Sequence, residues 1–409
     1  MSPKSNIIVG LDIGTTKICT AVGEISPDGV DLVGIGMSHS TGLRKGVVVN
    51  IEQTVKSIKQ AVEEAELMAG CEVRSVYAGI AGNHIMGFTS QGVIAVGGGE
   101  VTQKDRDRVI DAAKAVAIPM DREVIHVLPQ EYIVDDQHGI DDPLGMAGVR
   151  LEAQVHIVTG AVSSARNLLR ACHRSELGVE DIVLDSLASA KAVLTEEEKE
   201  LGVALVDVGG GTTDLSVFCN DSIKHISVFP LGGVNLTNDI AFGLRTPVNS
   251  AEQIKINYSC ALTELVHNNE VIEVPSVGGR KPRAVSRGVL AEICEPRMEE
   301  VLSRVDQELV RSGLKQNIGA GVVLTGGCSL IEGMSELGEQ VFDLPVRIGY
   351  PQGIGGLKDV VSDPKYATSV GLLKYGADGN SSDFRLRAAE KSLFRRVWSR
   401  MRRWFSEIT

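Results

Sequence analysis

The sequence predicts an α/β fold of two similar lobes that face each other across a cleft, and three observations support this. The chain has 409 residues, enough for two to four domains at about 150 residues each. Its 43% apolar and 23% charged residues are typical of a folded globular protein. Finally, LDIGTT at 11–16 is similar to VDVGGGTT at 206–213, and each follows an apolar run. A spacing of half the chain indicates a duplicated unit rather than a solenoid.

The first half alternates between strand and helix patterns. Apolar runs predict strands at 7–11, 18–23, 73–80 and 182–184. Helical spacing predicts helices at 51–65, 163–177 and 186–195. Asn50 is the expected N-cap of the first helix and Gly70 its stop.

Between 84 and 160 the pattern changes to short strands around one helix, which predicts an inserted subdomain. Thr102 and Asp105 would cap this helix. Its apolar side would be formed by Val109, Ile110, Ala113 and Val116.

The second half begins with a predicted hairpin and continues mainly as helices. Strands are expected at 203–208, 215–218, 223–229 and 321–325. Helices are expected at 234–242, 251–258 and 287–312, the last ended by Gly313. The stretch PSVGGRKP at 275–282 predicts a loop.

Charge and cysteine content exclude several classes of protein. With 41 Lys+Arg against 53 Asp+Glu the net charge is −12, which disfavours a nucleic-acid binder. Seven scattered cysteines without a CxxC pair or an HExxH motif support neither a disulfide framework nor a familiar zinc site. The first residues contain too few apolar side chains to predict a secretory signal, and no run approaches the ~18 apolar residues of a membrane span. We therefore expect a cytoplasmic protein that can still touch a membrane.

The two Gly-rich turns are the candidate phosphate-binding elements. Glycine lets backbone N–H groups point at a phosphate, and threonine hydroxyls add donors. Asp12 and Asp207, at the ends of the preceding strands, offer carboxylates to Mg²⁺ or its waters. One such turn is usually only a hairpin, but two of them predict a triphosphate held between the lobes. The chain has no GK dipeptide and no GxGxxG after a strand, which excludes the P-loop and dinucleotide-binding folds.

These turns and two later motifs resemble the actin-like ATPase superfamily. The similar stretches are 11–17, 205–215, 322–333 (VVLTGGCSLIEG) and 367–376 (ATSVGLLKYG). The resemblance implies duplicated ribonuclease-H-like lobes that bind ATP with Mg²⁺. Asp12 and Asp207 would hold the metal largely through water, Glu252 would bind the ribose and Lys255 would contact the base. The implied nucleotide-binding residues are Asp12, Gly14, Thr15, Thr16, Lys17, Asp207, Gly209, Gly210, Gly211, Thr212, Thr213, Glu252, Lys255, Gly326 and Gly327.

Further stretches are similar to the FtsA family of bacterial cell-division proteins: LPQEY at 128–132, EVPSVGGRKPR at 273–283, and the insert after His84. The resemblance covers essentially the whole chain and implies six parts. They are a first lobe (1–84 with 163–198 and 360–376), an SHS2-like insert (85–162), a second-lobe core (199–244 with 300–359), its outer subdomain (245–299), a flexible linker (377–391) and a C-terminal amphipathic helix (392–409).

The resemblance leaves turnover open. Relatives that hydrolyse ATP place Gln or Glu in the first connecting segment to orient the attacking water. Here the aligned residue is Ser186, and Asp185 lies one place away. Serine polarises a water poorly, so these two are weak candidates for positioning it. We expect slow or negligible hydrolysis, with ATP acting mainly to close the lobes.

The last eighteen residues, SLFRRVWSRMRRWFSEIT, predict a membrane-binding helix. At about 100° per residue the apolar side chains fall on one face. They are Leu393, Phe394, Val397, Trp398, Met401, Trp404, Phe405 and Ile408. The opposite face carries Arg395, Arg396, Arg400, Arg402 and Arg403. Both tryptophans of the chain lie on the apolar face, which suits the headgroup boundary.

Two other fates of this segment stay open, docking on the protein's own body and a calmodulin-type target helix. Each basic residue contributes up to about 1 kcal/mol near an anionic leaflet. One tail would therefore bind reversibly, and several tails on a polymer would bind far more tightly.

The family resemblance implies a polymerising protein on the cytoplasmic face of the bacterial inner membrane, at the division site. Its implied partners are the C-terminal peptide of FtsZ, other copies of itself, anionic lipid and, through the insert, other divisome proteins. Arg297 and Glu300 are candidates for the FtsZ site, although a solvated helix face is the alternative. The rival function is a catalytically active sugar kinase or chaperone-type ATPase of the same fold. A kinase has no use for a membrane tail, and a chaperone needs a further domain after the second lobe.

Overall fold

The computed structural model describes residues 6–27, 29–267 and 269–380. Residues 381–409, which include the predicted helix 392–409 and most of the predicted linker, lie outside these residues. Within the described residues no helix combines the length and apolarity needed to cross a bilayer.

The first lobe begins with a hairpin that extends into a three-stranded meander. Its elements are β1 (Ile7–Ile13), β2 (Lys17–Ser26), β3 (Gly29–His39), β4 (Leu43–Arg44), β5 (Val47–Val48), α1 (Ile51–Ala69) and β6 (Ser75–Ile80). The Asn50 side chain accepts from the Gln53 N–H at the start of α1, and Gly70 ends the helix at φ 66°. Both predicted helix signals are thus confirmed. Strand β3 was not predicted from the sequence.

The insert is a four-stranded antiparallel sheet covered on one face by a helix. Its elements are β7 (Met86–Ala95), α2 (Gln103–Lys114), β8 (Arg122–Val134), β9 (Gln137–Ile140) and β10 (Arg150–Ala161), in the sheet order β7-β10-β8-β9. Thr102 and Asp105 form the predicted capping box. Two predictions were wrong. Most strands are long rather than short, and Val116 lies exposed beyond the end of α2.

After the insert the chain returns to the first lobe and then builds the second. The return consists of α3 (Val162–Arg174), β11 (Gly178–Leu184), α4 (Asp185–Val193) and α5 (Glu196–Leu201). The second lobe consists of β12 (Val203–Val208), β13 (Thr213–Cys219), β14 (Ser222–Phe229), α6 (Gly233–Gly243), α7 (Val248–Tyr258), β15 (Val271–Val274), β16 (Arg283–Ser286), α8 (Arg287–Arg311), β17 (Val322–Thr325), α9 (Met334–Phe342) and β18 (Val346–Ile348). The chain then adds β19 (Gly355–Gly356) and α10 (Ala367–Asn380) to the first lobe.

The two lobes repeat one strand order. The first-lobe sheet runs β11-β6-β1-β2-β3, with β19 beyond β3, and the second runs β18-β17-β12-β13-β14. In each sheet three consecutive antiparallel strands are followed by two strands added in parallel. This confirms the predicted duplication and explains why the similar Gly-rich turns occupy equivalent places.

Helices α4 and α10 cross close together at the junction of the lobes. A Cβ on Gly371 would collide with the Ala188 carbonyl oxygen and lie 2.9 Å from the Ala188 Cα. Only glycine allows this approach. Helix α10 continues to Asn380, so residues 377–380, predicted as the start of a linker, are helical.

Candidate functional site

Two equivalent hairpins face each other where the lobes meet. Hairpin 1 (residues 12–19) pairs Asp12 with Cys19, and hairpin 2 (residues 207–214) pairs Asp207 with Asp214. Each turn is closed by a glycine N–H, from Gly14 to the Lys17 carbonyl at 3.0 Å and from Gly209 to the Thr212 carbonyl at 2.9 Å. The register therefore matches the two turns residue by residue.

This register corrects the comparison of the threonine pairs. Thr15 and Thr16 are equivalent to Gly210 and Gly211, whereas Thr212 is equivalent to Lys17. The two Thr-Thr pairs thus occupy different positions in the turns. Hairpin 1 carries side chains where hairpin 2 exposes backbone.

The hairpins contact each other directly through this difference. A Cβ on Gly210 would lie 2.5 Å from the Thr16 Oγ1, and one on Gly211 would lie 2.7 Å from the Thr15 Cβ. No side chain fits at either glycine while both threonines hold their places. The glycines thus let two loops from different lobes touch.

The predicted nucleoside-binding residues lie beside hairpin 2. Gly326 adopts φ 83°, and a Cβ there would meet the Asp207 carboxylate and lie 2.7 Å from the Val208 carbonyl oxygen. The Gly233 N–H, at the start of α6, donates to the Gly209 carbonyl at 3.0 Å. The β17 end and the α6 start therefore both abut the hairpin.

Helix α7 brings Lys255 and Glu252 to the same place. The Lys255 ammonium contacts the Glu252 carboxylate at 2.8 Å and the Gly233 carbonyl oxygen at 3.3 Å. It also donates to the Thr237 hydroxyl at 3.0 Å. Lys255 is buried, so its ammonium is held by these oxygens beside hairpin 2.

The Lys17 ammonium and four carboxylates interact where the two hairpins face each other. Lys17 Nζ lies 2.5 Å from Asp12 Oδ2. Burial lowers the pKa of Lys17, but the Asp12 carboxylate and weaker contributions outweigh this, and the net pKa is raised. Burial raises the pKa of Asp207, and the nearby Asp12 carboxylate adds to that rise. Burial and the Asp207 charge raise the pKa of Asp214 to about 8.

Asp185 is the fourth carboxylate of this cluster. Burial, followed by the charges of Asp12, Asp214 and Asp207, raises the pKa of Asp185 well above its usual range. Its Oδ1 is buried without a hydrogen-bond partner among the described residues, as is the hydroxyl of Ser186. A Cβ on Gly79 would collide with that Oδ1, which places Asp185 against the end of β6. Of Asp185 and Ser186, the two weak candidates for positioning water, Asp185 is therefore the one whose side chain lies among the other carboxylates.

Three polar residues of the site, Ser189, Asp214 and Thr368, were not predicted from the sequence. Ser189 of α4 donates to Asp207 Oδ2 at 2.7 Å and lies 3.0 Å from the Thr368 hydroxyl of α10. Thr212 donates to Asp214 Oδ2 at 3.0 Å. Asp214 had a visible signal, since it is the charged residue of an otherwise uncharged strand, but Ser189 and Thr368 had none.

No group of three or more His, Cys, Asp or Glu side chains in the described ranges is arranged to hold a metal ion. Asp185 Oδ1 and Asp214 Oδ1 are nevertheless buried oxygens that have no hydrogen-bond partner within the described part of the chain. Such oxygens fit a hydrated cation, whose remaining ligands are water and phosphate.

Arg297 and Glu300, the candidates for the FtsZ site, lie on α8. The Arg297 guanidinium forms a bidentate pair with Asp239 of α6, at 2.5 and 3.1 Å, and a further ion pair with Glu300. It therefore joins two helices rather than extending into solvent. On another face of the same turn of α8, Glu299 lines a cavity of about 480 Å³ between α8 and α9. The predicted membrane-binding residues from Phe394 to Phe405 lie outside the described residues.

Solved structures share this fold at low sequence identity. The PilM–PilN type IV pilus biogenesis complex matches with a TM-score of 0.65 and 17% identity, over 92% of this chain and 99% of that one. MreB5 of Spiroplasma citri bound to ADP matches with a TM-score of 0.52 and 16% identity, over 90% and 95%. These similarities show that the fold is actin-like.

Two family models and close relatives identify the family. The model "Cell division protein FtsA" matches residues 204–371, and "SHS2 domain inserted in FTSA" matches residues 82–159. Cell division protein FtsA of Pseudomonas aeruginosa is 52% identical over 404 residues, covering 97% of both chains. That of Escherichia coli K12 is 42% identical over 410 residues, covering 98% of this chain and 96% of the relative. The chain therefore belongs to the FtsA family of cell division proteins.

Proposed function

We propose that this protein binds ATP between its lobes, polymerises as an actin-like filament, and anchors the FtsZ ring to the cytoplasmic face of the bacterial inner membrane at the division site. There it helps to assemble the other division proteins. The observation that carries the nucleotide part is the meeting of two equivalent hairpins, one from each lobe, with Gly326 and Lys255 beside them. Membership of a cell-division family supports the rest.

The chemistry of the cleft suits a triphosphate with its metal. Hairpin 1 offers the Lys17 ammonium and the hydroxyls of Thr15 and Thr16, and hairpin 2 offers backbone N–H groups at glycines. Asp12 and Asp207 would hold Mg²⁺ mainly through water, and the metal would supply charge neutralisation between carboxylates and phosphates. Glu252 and Lys255 would contact the nucleoside. The MreB5 structure of the same fold is bound to ADP, a ligand of this class.

We propose that hydrolysis is slow and that ATP acts mainly as a clamp. A general base must be ionised near neutral pH to accept a proton from water. The raised pKa of Asp185 favours its neutral form, and Ser186 polarises water poorly. Neither side chain is therefore suited to activate the attacking water.

The segment 392–409 is the proposed membrane anchor, because its apolar and basic residues separate onto two helix faces. FtsZ would bind through its C-terminal peptide at the outer part of the second lobe near Arg297 and Glu300. A peptide carboxylate would then compete with Asp239 for the Arg297 guanidinium. The insert is the proposed contact for neighbouring subunits and other division proteins.

Co-sedimentation with anionic liposomes tests the anchor and its link to assembly. We expect the full chain to pellet with liposomes, and to pellet more with ATP and FtsZ, because several tethered tails bind more tightly than one. A chain ending at Ala389 and the double variant Trp398→Glu with Phe405→Glu should stay in the supernatant. The matched control, Ser392→Glu with Ser399→Glu, adds the same charge to the polar face and should keep most of the binding. Equal pelleting of the apolar-face variant and the unchanged chain would refute the anchor.

A further inference from the structure

Strand β8 of the insert contacts both lobes. Toward the first lobe, His126 Nε2 accepts the Leu184 N–H at 3.0 Å. Toward the second lobe, Gln130 Nε2 donates to the Ile223 carbonyl of β14 at 2.5 Å, and the Ser222 hydroxyl donates to the Gln130 carbonyl at 2.7 Å. The contact to one lobe and the contact to the other thus lie four positions apart along β8.

These contacts are buried and surrounded by apolar packing. Gln130 is 7% exposed and His126 is 5% exposed. Ile125 and Val158 of the insert belong to the same apolar cluster as Ile223 and Ile226 of β14. Breaking the Gln130 bonds would leave buried polar groups without partners, which is unfavourable. The insert therefore resists separation from either lobe.

The first-lobe contact leads directly to the cleft. Leu184 is the residue before α4, which starts at Asp185. One turn further along, Ser189 donates to Asp207 of hairpin 2. A shift of β8 would therefore move the N-terminus of α4, the helix that contributes the Asp185 and Ser189 side chains to the site.

The second-lobe contact moves with hairpin 2. Strand β14 pairs with β13, which forms hairpin 2 with β12. Since the side chains of Thr15 and Thr16 contact Gly211 and Gly210, a triphosphate held between the hairpins requires them to separate. That movement carries β14 relative to the first lobe, while β8 is held to both.

We propose that the insert is a coupling element, in which β8 transmits movement of the lobes to the insert's surface and in the reverse direction. The proposal rests on the proposed binding of ATP in the cleft. Coupling free energies are reciprocal. A protein segment that displaces the insert from β14 would therefore change the affinity for ATP by the same factor as ATP changes the affinity for that segment.

Amide hydrogen exchange on the full chain, with and without ATP and Mg²⁺, tests the coupling. In the unchanged protein we expect ATP to alter exchange in the two hairpins and also, by about fivefold or more, in β8 and β14. Gln130→Met keeps the size of the side chain and removes its N–H donor. In this variant the hairpins should still respond to ATP, and the response of β8 should be lost.

Gln91→Met is the matched control. Gln91 donates to Glu152 at 2.5 Å, the same length as the Gln130 bond, but within the insert itself. This variant should keep the ATP response in β8. Ser222→Ala, which removes the second bond and little packing, should weaken the response if Gln130→Met does not fold.

The outcomes separate the coupling from nucleotide binding. If ATP alters the hairpins of the unchanged protein but leaves β8 and β14 untouched, the coupling proposal is wrong while ATP binding stands. A β8 response equal in Gln130→Met and Gln91→Met would also overturn it. If the hairpins do not respond at all, the proposed ATP binding fails, and the coupling fails with it.

Discussion

Hairpin 1 and hairpin 2 have the same backbone arrangement but present different chemical groups to the cleft. Both turns span six residues between a paired Asp and the residue across from it, and both are closed by a glycine N–H. Hairpin 1 presents side chains, with Thr15, Thr16 and Lys17. At the equivalent positions hairpin 2 presents Gly210, Gly211 and Thr212, where backbone is exposed instead.

The two hairpins also differ in charge. In hairpin 1, Asp12 is balanced by Lys17, and its strand partner is the neutral Cys19. In hairpin 2, Asp207 has a second acid, Asp214, as its strand partner. A duplicated fold has thus separated two tasks, with a cation and hydroxyls on one side and backbone donors and carboxylates on the other. Three predictions test this division, beginning with the largest expected effect.

Replacing Gly211, a glycine at which the two hairpins touch, should have the largest effect on the affinity for ATP. In Gly211→Val the new Cβ would lie 2.7 Å from the Thr15 Cβ. We expect the valine side chain to occupy space between the hairpins that the triphosphate needs, and the affinity for ATP to fall about 100-fold, or about 2.7 kcal/mol. Thr15→Gly in the same chain should restore much of the loss, because it returns space between the hairpins. Isothermal titration calorimetry measures both. Unchanged affinity in the single variant would show that the contact is irrelevant to binding.

Removing the cation of hairpin 1 should have a smaller effect that still exceeds its counterpart in hairpin 2. Lys17→Met deletes a positive charge near the phosphates and leaves the buried Asp12 carboxylate unpaired. We expect ATP affinity to fall about tenfold, or about 1.4 kcal/mol. Thr212→Val, at the equivalent position, should lower it by less than about threefold, because backbone N–H groups are the donors of hairpin 2. Equal losses would contradict the division of tasks.

The second acid of hairpin 2 should make stability depend on pH. The pKa of Asp214 is about 8 in the folded protein, against about 3.9 in an unfolded chain. Folding therefore favours the protonated form, and this contribution to stability is fully present below about pH 3.9 and is lost as the pH rises from there to about 8. Asp214→Asn mimics the neutral form. Without nucleotide, its Tm should rise relative to the unchanged protein by a few degrees between pH 5 and pH 8.

Thermal unfolding followed by circular dichroism measures this difference. The control is Asp141→Asn, since Asp141 is exposed and should leave the pH profile unchanged. A parallel pH dependence in Asp214→Asn and the unchanged chain would show that Asp214 is ionised in the folded state.

Features that depend on a few consecutive residues were predictable from the sequence. Asn50 and Gly70 mark the ends of α1, because the Asn50 side chain and the Gly70 φ angle each act within one turn of the helix. The two hairpins were found because a strand, an Asp and glycines are contiguous. The position of their threonines was misjudged, since equivalence depends on strand register, which requires the pairing partner.

Contacts between distant segments were not predictable. Asp185 and Asp214 are 29 positions apart in sequence, and their charges interact only because the two lobes meet there. The bond between Gln130 and Ile223 joins an insert to a strand 93 residues later, and neither residue carries a local signal for it. Tertiary packing alone brings such groups together.

Helix α10 has a consequence for the end of the chain. Its second residue, Thr368, lies 3.0 Å from the Ser189 hydroxyl that bonds Asp207, and its last residue is Asn380. A helix of 14 residues is a stiff rod of about 21 Å. A small tilt of α10 at its first turn therefore produces a larger displacement of its last residue, Asn380. The residues that surround hairpin 2 thus influence the position from which the rest of the chain continues.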